Sequence, residues 1–437
     1  MMPARVMGGV RRNAELGLIL LAGVITVGAY LLASLGSSAS LPADLVPFLV
    51  VILALLAAAH VATRRLAPGA DGMLLPLGGL LNGLGYVFIA RLDPDLAGLQ
   101  ALWTVVGVGA FVATLALVRR PRDLQRYRYT WGLVGVGLLL LPLLPVVGNT
   151  IYGARLWVRL GPVNFQPGEL AKLALCVFLA SYLVDRQELL SEARLRIGPL
   201  PFPNLKHFGP LVLAWGFSLV VMFWERDLGS SLLFFALFIS LVWVATGRVA
   251  YLLTGGLLFA GGAWAAWSVF DHVKDRVSIW LDPWATPDTT GFQLIQALFA
   301  FAAGGVAGTN LGQGSPERIP AVTTDFTFAA IGEELGLLGT VGVLVVFLLI
   351  VGAGLRIALA ADNGFTKLLA TGLTAILGLQ SFIILGGVTR LVPLTGITLP
   401  FVSYGGSSLL ANYVLLALLL RISDEQVQRD AEREGAG

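Results

Sequence analysis

Two acids in one loop, Asp282 and Asp288, stand among Trp280, Pro283, Trp284 and Pro287 in the run SIWLDPWATPDTTGFQ at 278–293. A carboxylate held by rigid turns beside apolar rings loses hydration of its charged form and becomes a stronger base. Such a base could take a proton from a hydroxyl. Each acid taken alone also reads as part of an ordinary Asp-rich turn. A second constellation lies at 152–172, where Arg155 and Arg159 flank Trp157, and Gln166 leads through Pro167 to Glu169 and Lys172. Pro167 suits the first turn of a helix, and residues three apart share one helix face. Glu169 and Lys172 therefore read either as a structural ion pair beside snorkelling arginines, or as part of a docking site for an anionic head group, with arginine forks on a diphosphate.

Further polar groups lie close to apolar runs. Asp227 in ERDLG is placed to cap a following helix through the amides of Leu228 or Ser230. In TTDFTFAAIGEELG at 323–336, Asp325 sits near a helix start, where the macrodipole favours an acid. Glu333 and Glu334 fall two turns in, and carboxylates at membrane depth usually face a polar interior and mark function. Ser403 opens SYGGS at 403–407, whose glycines allow close helix packing. The glycines of GGVAGTNLGQG at 304–314 follow no strand and are not a dinucleotide fingerprint.

The elements that must hold these residues are unusual. Uncharged apolar runs, most of them long enough to cross a bilayer, follow one another along the chain, among them Leu16–Leu35, Leu99–Val118, Leu228–Thr246, Val249–Phe270 and Leu368–Val388. Of the 437 residues, 57% are hydrophobic and only 13% charged, and mean hydropathy is +0.83. These values exclude a soluble domain. The sequence predicts an all-α polytopic membrane bundle of about twelve transmembrane helices, near 16–35, 45–63, 73–90, 99–118, 131–147, 170–184, 209–224, 228–246, 249–270, 329–355, 368–388 and 400–420. The first run, although preceded by Arg5, Arg11 and Arg12, is longer than a signal-peptide core and reads as a retained span. Net charge of +3 is too small to suggest nucleic acid. The single cysteine, Cys176, lies in an apolar run and reads as a buried small hydrophobe, so no disulfide forms within one chain.

The positive-inside rule puts both termini in the cytoplasm, because Arg64, Arg65, Arg119, Arg120, Arg122, Arg126, Arg128, Arg186, Arg248, Arg356 and Arg421 then fall on inside loops. Two long outside segments follow, Gly148–Glu169 and Asp271 to about Asp325. The second contains the apolar run Gly291–Val306, too short to span, which reads as a re-entrant or interfacial helix. With the proline-rich stretch Val388–Ser407, these segments predict an outward-facing cavity, since irregular backbone at membrane depth must be covered by protein or line a wet hollow. The tail after Arg421 is charged and reads as disordered.

In order along the chain, GARLW (153–157), QPGELAK (166–172), DLGSS (227–231), GFQLIQ (291–296), TDFTFAAIGEELG (324–336) and PFVSYGGSS (400–408) resemble the SEDS family (shape, elongation, division and sporulation), which includes the RodA and FtsW proteins. The resemblance covers roughly residues 73–421. It divides the chain into a two-span extension at 1–72, a ten-span membrane domain and a cytoplasmic tail at 422–437. The two extra spans resemble longer, actinobacterial-type members.

The resemblance implies a peptidoglycan glycosyltransferase of the plasma membrane that polymerises lipid II at the outer face, in elongation or division, beside a class B penicillin-binding transpeptidase. An acid of the outer loop would deprotonate the acceptor 4-hydroxyl, and lipid diphosphate would leave the donor. That diphosphate needs cations, from arginines, lysines or a divalent metal such as Mg or Mn. The resemblance makes Arg155, Trp157, Arg159, Gln166, Glu169, Lys172, Gln293, Asp325, Glu334 and Ser403 the candidates for holding substrate. One departure stands out: where the family usually carries the Asp of Asp-Pro-x-Gly-x-Gly, this chain has Thr286. A threonine hydroxyl is no base at neutral pH, so Asp288, two residues on, is the first candidate for the role and Asp282 the second. Two other classes remain open: a flippase or transporter of lipid-linked precursors, and a non-catalytic scaffold that binds lipid II and activates its partner.

Overall fold

The computed structural model describes residues 4–40, 45–145, 147–151, 154–161, 163–191, 195–197, 200–202, 216–217 and 227–436. The helices are α1 (Ala4–Ser38), α2 (Leu45–Leu66), α3 (Leu74–Leu92), α4 (Pro94–Leu117), α5 (Asp123–Arg126), α6 (Arg128–Leu140) and α7 (Gly168–Ser191). They continue with α8 (Leu228–Thr246), α9 (Val249–Val269), α10 (Asp271–Leu281), α11 (Phe292–Gly304), α12 (Thr327–Ala360), α13 (Gly364–Val388) and α14 (Gly406–Ala436). Among the described residues eight helices are long and apolar enough to cross a membrane: α1, α3, α4, α8, α9, α12, α13 and α14. The expected spans near 45–63, 131–147 and 170–184 are helical as α2, α6 and α7, whereas the one at 209–224 falls almost wholly outside the described residues. The chain is an integral membrane protein. In lipid a helix is the element that satisfies its own backbone, which is why hydropathy alone located these segments.

Where α7, α8 and α13 meet, a Cβ on Gly372 of α13 would run into Cys176 and Leu241, and Cys176, Ala180, Leu237, Leu241 and Leu373 of these helices are all buried. At the start of α14, a Cβ on Gly406 would fall 2.0 Å from the Trp103 ring, so the glycine seats that indole of α4.

The structure differs from the sequence reading in two elements. The segment Gly148–Glu169 is no open loop but a three-stranded antiparallel sheet, β1 (Gly148–Ile151), β2 (Ala154–Leu160) and β3 (Val163–Phe165), in which Trp157 faces Asn149 and Arg159 faces Asn164. Alternation puts Arg155, Trp157 and Arg159 on one face of β2. The tail is not disordered either: α14 runs on to Ala436. Its first residues beyond the span dock on neighbours, with Asp424 accepting from the Gly69 amide at 2.7 Å and Gln426 donating to the Ile357 carbonyl at 2.8 Å.

The helix expected over Gly291–Val306 is α11. Its C-terminal loop inserts into α12, which breaks at Gly336 (φ 64°, ψ −161°). The amides of Leu337 and Leu338 turn to the carbonyls of Gly305 and Val306, at 2.9 and 3.2 Å. A Cβ at Gly336 would sit 2.4 Å from the Gly308 nitrogen. Gly336→Ala therefore meets both a left-handed backbone and a backbone collision. It is expected to lower stability by about 1–3 kcal/mol, read as a fall in the thermal unfolding midpoint of the detergent-solubilised protein; an unchanged midpoint would show that the break can relax.

Candidate functional site

Charged side chains converge at the end of the bundle where the sheet lies. Pro167 starts α7, whose first turns carry Glu169 and Lys172, paired at 2.6 Å and almost fully buried. Lys172 Nζ also donates to Gln380 Oε1 at 2.6 Å, and Gln380 Nε2 donates to the Thr398 carbonyl at 2.9 Å. A fully buried lysine is tolerable because carboxylate and amide together meet its donors. The loop before α14 is tied to the same place: the Gln166 amide donates to Ser407 Oγ at 2.8 Å, the Leu399 amide to Ser403 Oγ at 3.2 Å, and the Tyr404 amide to the Thr323 carbonyl at 2.8 Å.

Beside this network stand Asp227, Arg276 and Asp325. Asp227 caps α8, accepting from the Ser230 amide at 2.9 Å, as its position before the apolar run predicts. Arg276, on α10, donates to the Leu394 carbonyl at 2.7 Å. Gly396 (φ 76°) brings the 394–398 loop close enough that a Cβ there would lie 3.4 Å from Arg276 Nη2 and 3.7 Å from Asp325 Oδ2. Burial pushes the Asp325 carboxyl up to about 6, against the opposing pull of Arg276. Burial likewise raises Asp227, although the Ser230 bonds and Arg276 oppose it. The arginine thus serves two acids held in a poorly hydrated place.

Arg276 also lines an apolar groove of about 250 Å³ between α8, α9, α10 and α13, walled by Phe235, Phe259, Val277, Phe382 and Ile383. One guanidinium therefore joins an apolar trough to a polar cluster. Such an arrangement fits an amphiphile with an anionic head.

The two loop acids are placed differently. Asp282 and Asp288 are both exposed, which corrects the expectation that the neighbouring rings would desolvate them. The reason is local. Pro283–Ala285 form a 3-10 turn, and Trp284 packs edge-on against Phe299 of α11 (centroids 5.7 Å apart) instead of covering the acids. Asp282 is committed to that turn through the Trp284 amide at 3.0 Å. Among the described residues Asp288 accepts no hydrogen bond. The Thr286 and Thr290 hydroxyls bond each other at 3.0 Å. The loop is tied to the groove through α10, which carries Arg276 and Val277 in the groove wall and ends at Leu281. A helix rises about 1.5 Å per residue, so Asp282 follows Arg276 by about 9 Å.

Other candidates are not brought to the cluster. Arg155 and Arg159 donate to carbonyls of their own hairpin region, Leu144 at 3.2 Å and Gly161 at 3.4 Å, and Trp157 is half-buried on the sheet. Gln293 is half-buried in the first turn of α11. Glu334 pairs with Arg91 Nε at 2.6 Å and accepts from the Gly312 amide at 3.0 Å, while Glu333 accepts from the Ser315 amide at 2.8 Å. These two acids hold the 308–317 loop. Among the described residues no group of three or more His, Cys, Asp or Glu forms a metal-ligand set.

Sequence reasoning passed over Arg276 and Gln380 and gave Asp227 only its capping role. Gln380 carried a signal, a lone amide within an apolar span. Arg276 carried none, because a basic residue in a short polar segment looks like solvated surface.

Comparison with known proteins agrees with the geometry. A family model for cell cycle proteins of the FtsW, RodA and SpoVE type matches residues 94–428. The peptidoglycan glycosyltransferase RodA of Mycobacterium tuberculosis is 46% identical over 424 residues, 94% of this chain and 90% of the relative. A probable peptidoglycan glycosyltransferase FtsW of Geobacter sp. (strain M18) is 37% identical over 65% of this chain and 76% of its own. Among solved structures, one described as the structural coordination of polymerization and crosslinking by a peptidoglycan synthase complex matches with TM-score 0.67 and 31% identity, covering 82% of this chain and 98% of the other. The crystal structure of Thermus thermophilus rod shape determining protein RodA matches with TM-score 0.58 and 28% identity, over 82% and 97%.

Proposed function

The chain belongs to the FtsW, RodA and SpoVE family of cell cycle proteins, and from that membership we propose that it is a peptidoglycan glycosyltransferase that polymerises lipid II into glycan strands for elongation or division. The observation that carries the reading is Arg276, at once in the wall of an apolar groove and beside the Asp227–Asp325 pair. The groove takes the polyprenyl chain of the donor. Arg276 faces the diphosphate, and Lys172, held by Glu169 and Gln380, adds positive charge behind it. Both stabilise the negative charge that grows as the diphosphate leaves. A divalent cation, Mg or Mn, would add neutralising charge if it entered with the diphosphate.

On this reading the acceptor sugar approaches from water over the 282–290 turn. Asp288 removes the proton of its 4-hydroxyl, the oxygen attacks the anomeric carbon of the donor, and the bond to the diphosphate breaks. Both termini then lie in the cytoplasm, with the sheet and the charged cluster at the outer face. A class B penicillin-binding transpeptidase is the partner that would crosslink the product. The activity test is polymerisation of labelled lipid II by the purified protein, with and without that partner. Thr286 favours a second reading, a lipid II-binding scaffold, which predicts binding without polymer under both conditions.

A pH dependence follows. When Asp325 ionises, near pH 6, its carboxylate competes with the diphosphate for Arg276. Lowering the pH from 7 to 5 protonates it and frees the arginine. The KM for lipid II is expected to fall over that interval in the wild type, and to be lower and less dependent on pH in Asp325→Asn, where Asp227 is the one acid left beside Arg276. A wild-type KM that rises on acidification would contradict this role.

A further inference from the structure

At the far end of the bundle, five arginines occupy the turn from α4 to α6: Arg119, Arg120, Arg122, Arg126 and Arg128, with Asp123 the one acid among them. The basic run could merely mark the cytoplasmic side, but the structure arranges it further. Arg122, Arg126 and Arg128 line one hollow of about 480 Å³ together with Gln125 and Tyr129. Two of the three are held in place from other helices. Arg122 Nε lies 3.2 Å from Glu425 of α14. Arg128 pairs with Asp185 of α7, and its guanidinium sits 4.9 Å from the Tyr129 ring centre. Arg126 is exposed and has no ion pair among the described residues. Arginine keeps spare N–H groups after one carboxylate contact, and its planar fork suits phosphate oxygens.

Tyr129 lines the hollow and is 67% exposed, and on the flanking segments of chain Leu117, Tyr127 and Leu133 are 82%, 57% and 75% exposed. Aromatic and aliphatic side chains at that level are interfacial anchors, and basic pockets at the cytoplasmic ends of membrane helices recognise anionic head groups. We propose that the arginine hollow between α4 and α6 binds the phosphate of an anionic phospholipid of the inner leaflet. The leaflet rests on the orientation proposed above; the site itself does not depend on the glycosyltransferase reading. Arg126 makes the principal phosphate contact, Arg122 and Arg128 flank it, and the acyl chains lie along Leu117 and Leu133.

The full-length protein, purified in detergent and equilibrated with equimolar phosphatidylglycerol and phosphatidylcholine, can be examined by native mass spectrometry for retained lipid. The wild type is expected to retain phosphatidylglycerol preferentially. Arg126→Gln should reduce that preference about fivefold, the equivalent of one basic residue near a membrane surface, and Arg126→Lys should keep most of it. Arg126 is exposed, so an unchanged unfolding midpoint in the same sample separates lost binding from lost fold. Equal retention of the two lipids by the wild type, or wild-type preference in Arg126→Gln, would overturn the proposal. Displacement of the bound lipid by millimolar inorganic phosphate would overturn it in favour of a site for soluble phosphate.

Discussion

Replacing Asp288 by alanine is expected to slow lipid II polymerisation by about 10²- to 10⁴-fold, the usual worth of a positioned general base. Asp288 and Asp282 are both exposed, but only Asp282 has its carboxylate engaged in holding the turn. Asp282→Ala should therefore act through the fold, costing about 1 kcal/mol as a lost cap, with most of the activity kept. Thr286 offers a sharper control. Its side chain now bonds Thr290, and aspartate at this position would restore the family pattern. Combining Thr286→Asp with Asp288→Ala should recover polymerisation lost in Asp288→Ala alone. Wild-type rates in Asp288→Ala would remove this acid from the mechanism. No gain in the double variant would show that the turn no longer presents a base at position 286.

The second large effect is expected at Arg276. Arg276→Gln removes the charge that links groove and cluster and leaves Asp227 and Asp325 without their shared cation. Loss of one preorganised stabiliser of a developing charge costs about 10²- to 10³-fold in kcat. The substitution should also raise the pH at which Asp325 ionises, because Arg276 is what lowers it. Arg276→Lys keeps the charge but loses the fork and should fall between the two. Full-rate turnover by Arg276→Gln would mean that the diphosphate leaves elsewhere, and the groove would lose its assigned role.

Hydropathy located the long spans and the short helix over 292–304, because each membrane helix closes its hydrogen bonds within its own segment. The capping role of Asp227 was legible for the same reason: it depends on the next three residues alone. The motif runs from GARLW to PFVSYGGSS pointed to the family without any coordinates. The 148–165 sheet was not read, since its strands are short and fold on one another in a segment whose arginines and tryptophan look interfacial. The helical tail was missed because its composition reads as solvated, while its order comes from contacts with Gly69 and Ile357, distant in sequence.

The amino-acid sequence by itself determined that this chain crosses a membrane many times, which family motifs it carries and that Thr286 stands where an acid is usual. Tertiary structure alone decided how the polar groups divide. Glu334 went to Arg91 and the 308–317 loop, Lys172 to Glu169 and Gln380, and Arg276 to the place between the groove and two acids. The physical reason is that the cost of burying a charge is met by whichever partner packing brings within reach. Lys172 and Gln380 lie more than two hundred residues apart in the chain, and only the meeting of α7 with α13 joins them.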